Sequence, residues 1–151
     1  MNLKIAYIVC CIVTTVFSPL SEGRILNCCD LAREMSRLGV AKSELATWCC
    51  IAQFESRYNT TAIGRLNGNW SNDYGLFQFS DRYWCQSSAK PSRSSANLCQ
   101  INCQHLVSGD DVRESIKCAQ KVKKLQGWRA WSVYNGRCKN AKLLPSIEEC
   151  F

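Results

Sequence analysis

Two carboxylates in the sequence stand in surroundings of opposite polarity. Glu55 follows Phe54 in an apolar stretch with helical spacing, where burial would disfavour its charged form and raise its pKa. Asp73 lies in the hairpin-like sequence NDYG, and its polar neighbours are Asn67, Asn69, Ser71 and Asn72. One protonated and one ionised acid can together cleave a glycosidic bond, because the first protonates the leaving oxygen and the second stabilises or traps the sugar cation. Spacing alone leaves open that both are ordinary solvated charges.

The elements that would hold these acids are two helices and a hairpin region. Apolar residues at helical spacing predict a first helix in CCDLAREMSRLGV (residues 28–40), with Gly39 as its stop. They predict a second helix in KSELATWCCIAQFESRY (residues 42–58), with Ser43 as its N-cap. Clusters of Gly, Asn and Ser between short apolar pieces predict a small antiparallel sheet in residues 60–80. Glu55 would then leave the second helix beside the sheet that carries Asp73.

The rest of the chain predicts further helices around this sheet. The sequence DDVRESIKCAQKVKKL (residues 110–125) has one apolar side, with Asp110 or Asp111 as its cap, and a tryptophan-rich helix is predicted in GWRAWSVY (residues 127–134). The polar stretch from Asp81 to Gln104 is expected to be a long loop that cysteines hold in place. Helices, an inserted sheet and helices again predict an α+β fold with two lobes and a cleft between them.

The first 23 residues have the layout of a secretory signal peptide. They contain a lysine, an apolar run from Ile5 to Phe17, and small residues up to Gly23. This run is shorter than the roughly 20 residues that a membrane-spanning helix needs, and no later stretch is long enough either. We therefore expect residues 1–23 to be removed and residues 24–151 to form a secreted, extracellular domain without a membrane span.

The cysteine content predicts a disulfide framework. Of the 12 cysteines, Cys10 and Cys11 would leave with the signal peptide, and the others stay in the domain. Disulfides are expected at this density in a secreted chain. Zinc is the alternative, but paired CxxC clusters do not occur and His105 is the only histidine. We expect no metal and no cofactor.

A series of motifs runs through the predicted mature domain. They are CDLAREMSRLGV, CIAQFES, NDYGLFQ, RYWC, NLCQINC, KCAQKVKKLQGWRAW and LLPSIEECF. In this order they resemble the c-type lysozymes of the lysozyme/α-lactalbumin family, most of all the insect members. The resemblance covers the whole mature chain and implies the lysozyme-like α+β fold, in which a helical lobe and a small sheet lobe flank an active-site cleft. Lysozyme is itself the type case of the two-carboxylate chemistry described above.

The resemblance implies a role for several residues. Glu55 would be the general acid and Asp73 the nucleophile or charge stabiliser in a glycoside hydrolase. The implied reaction is a retaining cleavage of the β-1,4 bond between N-acetylmuramic acid and N-acetylglucosamine in bacterial peptidoglycan. Trp128 would press on Glu55 and raise its pKa, whereas Trp131 is expected to pack in the core. Further substrate-binding positions are implied at Gln78, Ser80, Tyr83 and Trp84. We expect a monomer.

The resemblance also implies four disulfides, which spacing alone could not select. They join Cys29 with Cys150, Cys50 with Cys138, Cys85 with Cys103, and Cys99 with Cys118. Cys28 and Cys49 are left over, each directly before a framework cysteine. They either form a fifth bridge between the first two helices or remain two separate thiols. Cα atoms more than about 7 Å apart would rule the bridge out.

Three departures from the family pattern bear on activity. Ser80 stands where the family usually has an asparagine that helps to hold the catalytic aspartate, so reduced activity is expected. The segment between Cys118 and Trp128 is shorter than in vertebrate members and lacks the acidic loop that lines the far end of their cleft. Asp110 and Asp111 resemble the end of a calcium loop, but the other ligands are missing, so calcium is not expected.

Other functions stay open at the level of sequence. The net charge of +7 favours anionic partners such as bacterial envelopes and permits a cationic, membrane-active antimicrobial protein. Basic residues are spread along the chain, so no nucleic-acid partner is expected. A sugar-binding or reproductive recognition protein with little turnover is a further alternative, although binding-only relatives have usually lost one of the two acids. Sequons at Asn59 and Asn69 could carry glycans. Defence, digestion and reproduction are not distinguished.

Overall fold

The computed structural model describes residues 23–65, 70–89, 94–107 and 109–151. The predicted signal peptide lies outside these ranges apart from Gly23, and so does the sequon residue Asn69. Within the described ranges, no helix combines the length and the apolar character that are needed to cross a bilayer.

Helix α1 spans Cys28–Arg37 and begins with a capping box. The Asn27 side chain accepts a hydrogen bond from the backbone N–H of Asp30 at 2.9 Å, and the Asp30 carboxylate accepts one from the backbone N–H of Asn27 at 3.3 Å. Two backbone donors that the helix itself leaves unpaired are satisfied in this way. The chain turns at Gly39, whose φ of +80° lies in the region that favours glycine. This agrees with the predicted stop.

Helix α2 spans Lys42–Ser56 and carries the first acid near its C-terminal end. Its N-cap is Ala41, and Ser43 lies inside the helix, so the predicted cap is wrong. At its other end the backbone becomes left-handed at Arg57, with φ of 53°. The helix therefore ends directly after the turn that presents Glu55.

A three-stranded antiparallel sheet follows, with its strands in chain order. The strands are β1 (Ile63–Gly64), β2 (Asp73–Tyr74) and β3 (Phe79–Ser80). In this register Asp73 is directly opposite Gly64 on one side and Ser80 on the other. The second acid therefore lies on the central strand. The predicted α+β architecture, with a small antiparallel sheet inserted between helices, is confirmed.

Helix α3 spans Arg113–Gln126, and short turns complete the helical part. Its N-cap is Val112, so the predicted cap at Asp110 or Asp111 is wrong, although Asp111 Oδ1 accepts a hydrogen bond from the backbone N–H of Arg113 at 3.0 Å. The predicted tryptophan-rich helix is observed as two separate short turns. The short turns are Cys103–Leu106, Trp128–Ala130, Tyr134–Cys138, Ala141–Leu143 and Glu148–Cys150.

A cluster of aromatic side chains joins the sheet to the helices. Trp48, near the middle of α2, is fully buried. Its ring contacts those of Phe77, Trp128 and Trp131 at centroid distances of 5.3, 4.7 and 5.0 Å. Each edge-to-face pair of this kind contributes about 0.5–1.5 kcal/mol beyond the burial of its area. Because Phe77 lies between β2 and β3, the cluster fixes the sheet against the helix that carries the other acid.

Five disulfides cross-link the described residues. Four of them join the pairs that the resemblance implies, namely Cys29–Cys150, Cys50–Cys138, Cys85–Cys103 and Cys99–Cys118. The fifth joins Cys28, the first residue of α1, to Cys49 in α2, with their Cα atoms 5.2 Å apart. The packing of the two helices therefore brings these Cα atoms into the usual range for a bridge.

Removing the fifth bridge should lower stability without changing the fold. We expect the Cys28→Ala/Cys49→Ala variant to lose about 3 kcal/mol of unfolding free energy, because the bridge closes a loop with a sequence separation of 21. Scanning calorimetry should show a Tm lower by roughly 10 °C. In the control, thiol titration of the unfolded, unreduced wild-type domain should find no free thiol. Two titratable thiols there would contradict the bridge.

Candidate active site

A cleft of about 360 Å³ lies between the sheet and the helices. Both acids line it, Glu55 from the end of α2 and Asp73 from β2. Four other predicted site residues line the same cleft, namely Gln78, Ser80, Tyr83 and Trp84. Sequence reasoning missed the rest of the lining, which is Phe79, Val122, Gln126, Ala130, Trp131 and Ser132. Most of these lie on α3 or just after it, far along the chain from both acids, so local sequence patterns around Glu55 and Asp73 do not include them.

Glu55 is half-buried in the wall of this cleft. Burial raises the pKa of its carboxyl from 4.5 to about 7, and the negative charge of Asp73 adds to the rise. The neighbouring Ser56 hydroxyl lies 2.8 Å from the carbonyl oxygen of Leu76 and 3.2 Å from that of Ala52. These contacts hold the end of α2 against the segment after β2. The structure therefore provides a fixed carboxyl that keeps its proton up to near-neutral pH.

Asp73 is half-buried on the central strand, and its neighbours across the sheet are small. Gly64 offers no side chain on the β1 side, and Ser80 offers only a hydroxyl on the β3 side. The Ser80 hydroxyl oxygen accepts a hydrogen bond from the backbone N–H of Arg82 at 3.3 Å. A short hydroxyl thus stands beside Asp73 at the position where the family pattern predicts a longer amide.

Trp131 lines the cleft together with Glu55, and the contact of Trp128 with Glu55 that the resemblance implies stays a prediction. Trp131 is only 5% exposed, its indole N–H donates to the carbonyl oxygen of Phe77 at 3.1 Å, and it lines the cleft together with Glu55. Trp128 stacks on Tyr134 at a centroid distance of 5.9 Å and contacts Trp48 at 4.7 Å. Trp131 therefore belongs both to the core, as expected, and to the site.

The backbone explains why the two tryptophans differ. Trp128 begins the short turn Trp128–Ala130, whereas Trp131 follows this turn in an extended conformation, with φ of −101° and ψ of 119°. In a regular helix, residues three apart lie on the same face. Because the helix is interrupted here, the two residues differ in backbone conformation, although both rings contact Trp48.

Two neighbouring aromatic residues occupy different depths of the cleft. Tyr83 is 46% exposed and its ring lies at the rim, where the Arg82 guanidinium lies 5.5 Å from the ring centre. Trp84 is 8% exposed and forms part of the buried wall. An exposed ring at a rim can stack on a sugar ring, and a buried one limits the depth to which the sugar enters. The two rings therefore differ in accessibility, since that of Tyr83 is open to solvent and that of Trp84 is not.

Other predicted features were located in the described part of the chain. The side-chain oxygen of Asn59 accepts hydrogen bonds from the backbone N–H of Thr61 at 2.9 Å and from the Thr61 hydroxyl at 3.0 Å. Both donors belong to the same sequon. Among the described residues, no three His, Cys, Asp or Glu side chains gather in a way that could hold a metal ion.

A cleft that holds two acids in different environments is typical of glycoside hydrolases, and comparison with known proteins identifies the family. A sequence model of the C-type lysozyme/alpha-lactalbumin family matches residues 24–150, and the chain belongs to this family. Lysozyme P of Drosophila melanogaster is 44% identical over 146 residues, which cover 97% of this chain and 99% of that protein. Lysozyme D of the same species is 51% identical over 130 residues, which cover 85% of this chain and 88% of that protein.

Solved structures agree with this assignment. The crystal structure of a lysozyme from Litopenaeus vannamei superimposes with a TM-score of 0.72 at 36% identity, covering 85% of this chain and 98% of that chain. The predicted family and the predicted lysozyme-like fold are therefore confirmed. Given named lysozymes at this identity over most of its length, the chain is a glycoside hydrolase of the lysozyme type.

Proposed function

We propose that the chain hydrolyses the β-1,4 bond between N-acetylmuramic acid and N-acetylglucosamine in bacterial peptidoglycan, with Glu55 as general acid and Asp73 as nucleophile or charge stabiliser. One observation supports this most strongly. Both acids line one cleft, and burial together with the charge of Asp73 raises the pKa of Glu55 to about 7. A carboxyl with that pKa holds a proton for the leaving oxygen in mildly acidic solution, as the acid of a glycosidase must.

A retaining reaction at this site has two steps. In the first, Glu55 gives its proton to the glycosidic oxygen as the bond from that oxygen to the sugar C1 breaks, and Asp73 stabilises or traps the cation at C1. In the second, water attacks C1 while the Glu55 carboxylate takes a proton from it. Where Asp73 has trapped C1 as an ester, the bond between C1 and the Asp73 oxygen breaks in this step and the carboxylate leaves. The proton on Glu55 is thereby restored, and the sugar keeps its configuration.

The remaining site residues would bind the sugar chain. We propose Tyr83 and Trp84 as the aromatic surfaces against which sugar rings lie, since one is at the rim and the other in the wall. We propose Gln78 and Ser80 as polar contacts beside Asp73. We propose Trp131, rather than Trp128, as the tryptophan that shields Glu55 from water, since both Trp131 and Glu55 line the cleft.

We further propose that residues 1–23 are a secretory signal peptide and that the protein is an extracellular monomer. The domain begins directly after the proposed cleavage site. The backbone N–H of Leu26 donates to the Tyr58 carbonyl at 3.0 Å, and that of Thr60 donates to the Arg24 carbonyl at 2.9 Å. Five disulfides suit an oxidising compartment. The proposed partner is cell-wall peptidoglycan, with no nucleic-acid partner.

Product analysis tests this function. The domain that begins at Arg24 would be incubated with purified peptidoglycan, and mass spectrometry would identify the reducing ends that it releases. We expect the new reducing ends to be N-acetylmuramic acid, and NMR should show that they form first as the β anomer. Binding without release would favour the sugar-binding alternative. Killing of bacteria without release, weakening as salt shortens the Debye length, would favour the cationic membrane-active alternative.

A matched pair of tryptophan substitutions tests the role of Trp131. In Trp131→Phe, the smaller ring admits water to the cleft wall, so the pKa of Glu55 should fall from about 7 towards 4.5. The alkaline limb of kcat/KM should then move to lower pH. Trp128→Phe is the control and should leave the limb in place. A shift in the Trp128 variant, and none in the Trp131 variant, would restore the original assignment.

A further inference from the structure

Gly64 occupies the position on β1 that lies directly opposite Asp73. Side chains of directly opposite residues in an antiparallel pair lie on the same face of the sheet, with Cβ atoms about 4.5–5.5 Å apart. A side chain at position 64 would therefore flank the Asp73 carboxylate on the β1 side. The chain has glycine there, and its backbone φ is not in the region that requires glycine. The reason for glycine must lie in the space that a side chain would fill.

The Gln78 carboxamide fills this space. A Cβ atom built on Gly64 would lie 2.6 Å from Gln78 Oε1, 3.8 Å from Gln78 Cδ and 3.5 Å from Asp73 Cβ. The carboxamide oxygen and the Cβ atom of Asp73 therefore both border the space above the glycine. Real Cβ atoms do not approach an oxygen to 2.6 Å, so alanine at this position would displace the carboxamide.

The carboxamide is also held firmly in place. Gln78 Nε2 donates to the carbonyl oxygen of Gly75 at 2.8 Å and to that of Ala62 at 3.3 Å. Since both contacts are made by the nitrogen, the orientation of the group is fixed, with Oε1 towards Gly64. The Gln78 backbone is left-handed, with φ of 51°, which costs about 1–2 kcal/mol for a residue with a Cβ. Strain of this size persists only where the surrounding contacts determine the conformation.

We propose that Gly64 is a positioning residue for the reaction, because its missing side chain lets the Gln78 carboxamide lie beside Asp73. This proposal rests on the proposed function. Gln78 Oε1 and the Asp73 carboxylate then form two adjacent acceptors on the sheet side of the cleft. Adjacent acceptors bind donors, so the sugar at Asp73 is held through a hydroxyl or an acetamido N–H. Gly64 itself does not touch the substrate.

The size of the expected effect follows from the displacement. Alanine at position 64 needs the Gln78 carboxamide to move by roughly 1 Å to reach ordinary contact distance. A misplacement of about 1 Å in a catalytic constellation can cost up to about 100-fold in rate. We therefore expect Gly64→Ala to lower kcat/KM on peptidoglycan by about 10- to 100-fold. Gly136→Ala is the matched control, because a Cβ there would meet no atom within 4 Å, and it should leave the rate unchanged.

A double-mutant cycle separates positioning from general damage to the sheet. Gly64→Ala is made in the wild type and in Gln78→Ala, and kcat, KM and Tm are measured for each. We expect a large loss of kcat/KM in the first background and less than about a twofold further loss in the second, because no carboxamide remains to be displaced. Equal losses in both backgrounds would overturn the proposal. If Gly64→Ala fails to fold in the wild-type background but folds in the Gln78→Ala background, the clash with Gln78 is supported. Failure to fold in both backgrounds overturns the proposal.

A binding measurement keeps this proposal distinct from the proposed function. If the wild type released no sugar from peptidoglycan, the proposed function would be wrong. The same double-mutant cycle would then be carried out on binding affinity for the trimer of N-acetylglucosamine, measured by tryptophan fluorescence. The Gly64→Ala substitution should then weaken binding about tenfold in the presence of Gln78 and leave binding unchanged in the Gln78→Ala background. Equal weakening of binding in both backgrounds, or no weakening in either, overturns the positioning role.

Discussion

Replacing Glu55 by glutamine should reduce the turnover of peptidoglycan by about 10²–10⁴-fold at mildly acidic pH. Glutamine has nearly the same shape as a protonated glutamate, but it has no acidic proton to give to the leaving oxygen. The measurement is the initial rate of release of reducing sugar ends. Glu34→Gln is the matched control, because Glu34 forms a surface ion pair with Arg37 at 2.8 Å and lies on α1 away from the cleft-lining residues. Its rate should stay within about twofold of the wild type.

The pH dependence of the wild type provides a second readout of the same role. Since the pKa of Glu55 is raised to about 7, the general acid is present below that pH and is lost above it. The rate should therefore fall about tenfold for each pH unit above about 7. The residual rate of Glu55→Gln should show no such limb. A wild-type limb near 4.5 would show that the cleft does not raise this pKa, and full activity of Glu55→Gln would remove Glu55 from the mechanism.

The sequence predicts Glu55 and Asp73 as the two acids from the polarity of their neighbouring residues, and the structure places both in the lining of one cleft. The apolar face of α2 around Glu55 and the polar residues around Asp73 are both short-range properties of the chain. The α+β architecture follows from short-range patterns in the same way. Helix caps are predicted less well, since Ala41 and Val112 occupy N-cap positions that Ser43 and the adjacent aspartates were expected to take. Tertiary packing, rather than the cap, determines where these helices begin.

Features that depend on contacts between distant segments could be predicted only as alternatives, as for the bridge between Cys28 and Cys49, or not at all. The place of Trp131 in the cleft lining follows an interruption of the helix that its spacing from Trp128 does not show. The bridge between Cys28 and Cys49 depends on how α1 packs on α2, which brings their Cα atoms to 5.2 Å. Gly64 is significant only because β1 lies beside the strand of Asp73 and because Gln78 folds over it. None of these contacts leaves a periodic signal in the chain.

The second prediction of large effect is that Glu55→Gln should be more stable than the wild type at alkaline pH. In the unfolded chain the pKa of a glutamate is 4.5, whereas in the folded protein that of Glu55 is about 7. Between these values the folded state binds the proton more strongly than the unfolded state. The contribution of Glu55 is therefore fully present below about pH 4.5, and it is lost as the pH rises through about 7. Glutamine does not titrate, so the variant avoids this loss.

The expected difference can be bounded and measured. A full shift from 4.5 to about 7 would correspond to about 3 kcal/mol at 1.36 kcal/mol per unit, and partial exposure of Glu55 to water reduces this to roughly 1–3 kcal/mol. The free energy of unfolding of both proteins is measured with urea at about pH 4 and about pH 8. The difference between Glu55→Gln and wild type should shift in favour of the variant by that amount from the lower to the higher pH. Glu34→Gln should show no comparable rise. A constant difference for Glu55→Gln would mean that Glu55 titrates alike in the folded and unfolded states. The rise would show instead that the burial which provides the acid also destabilises the domain once the acid loses its proton.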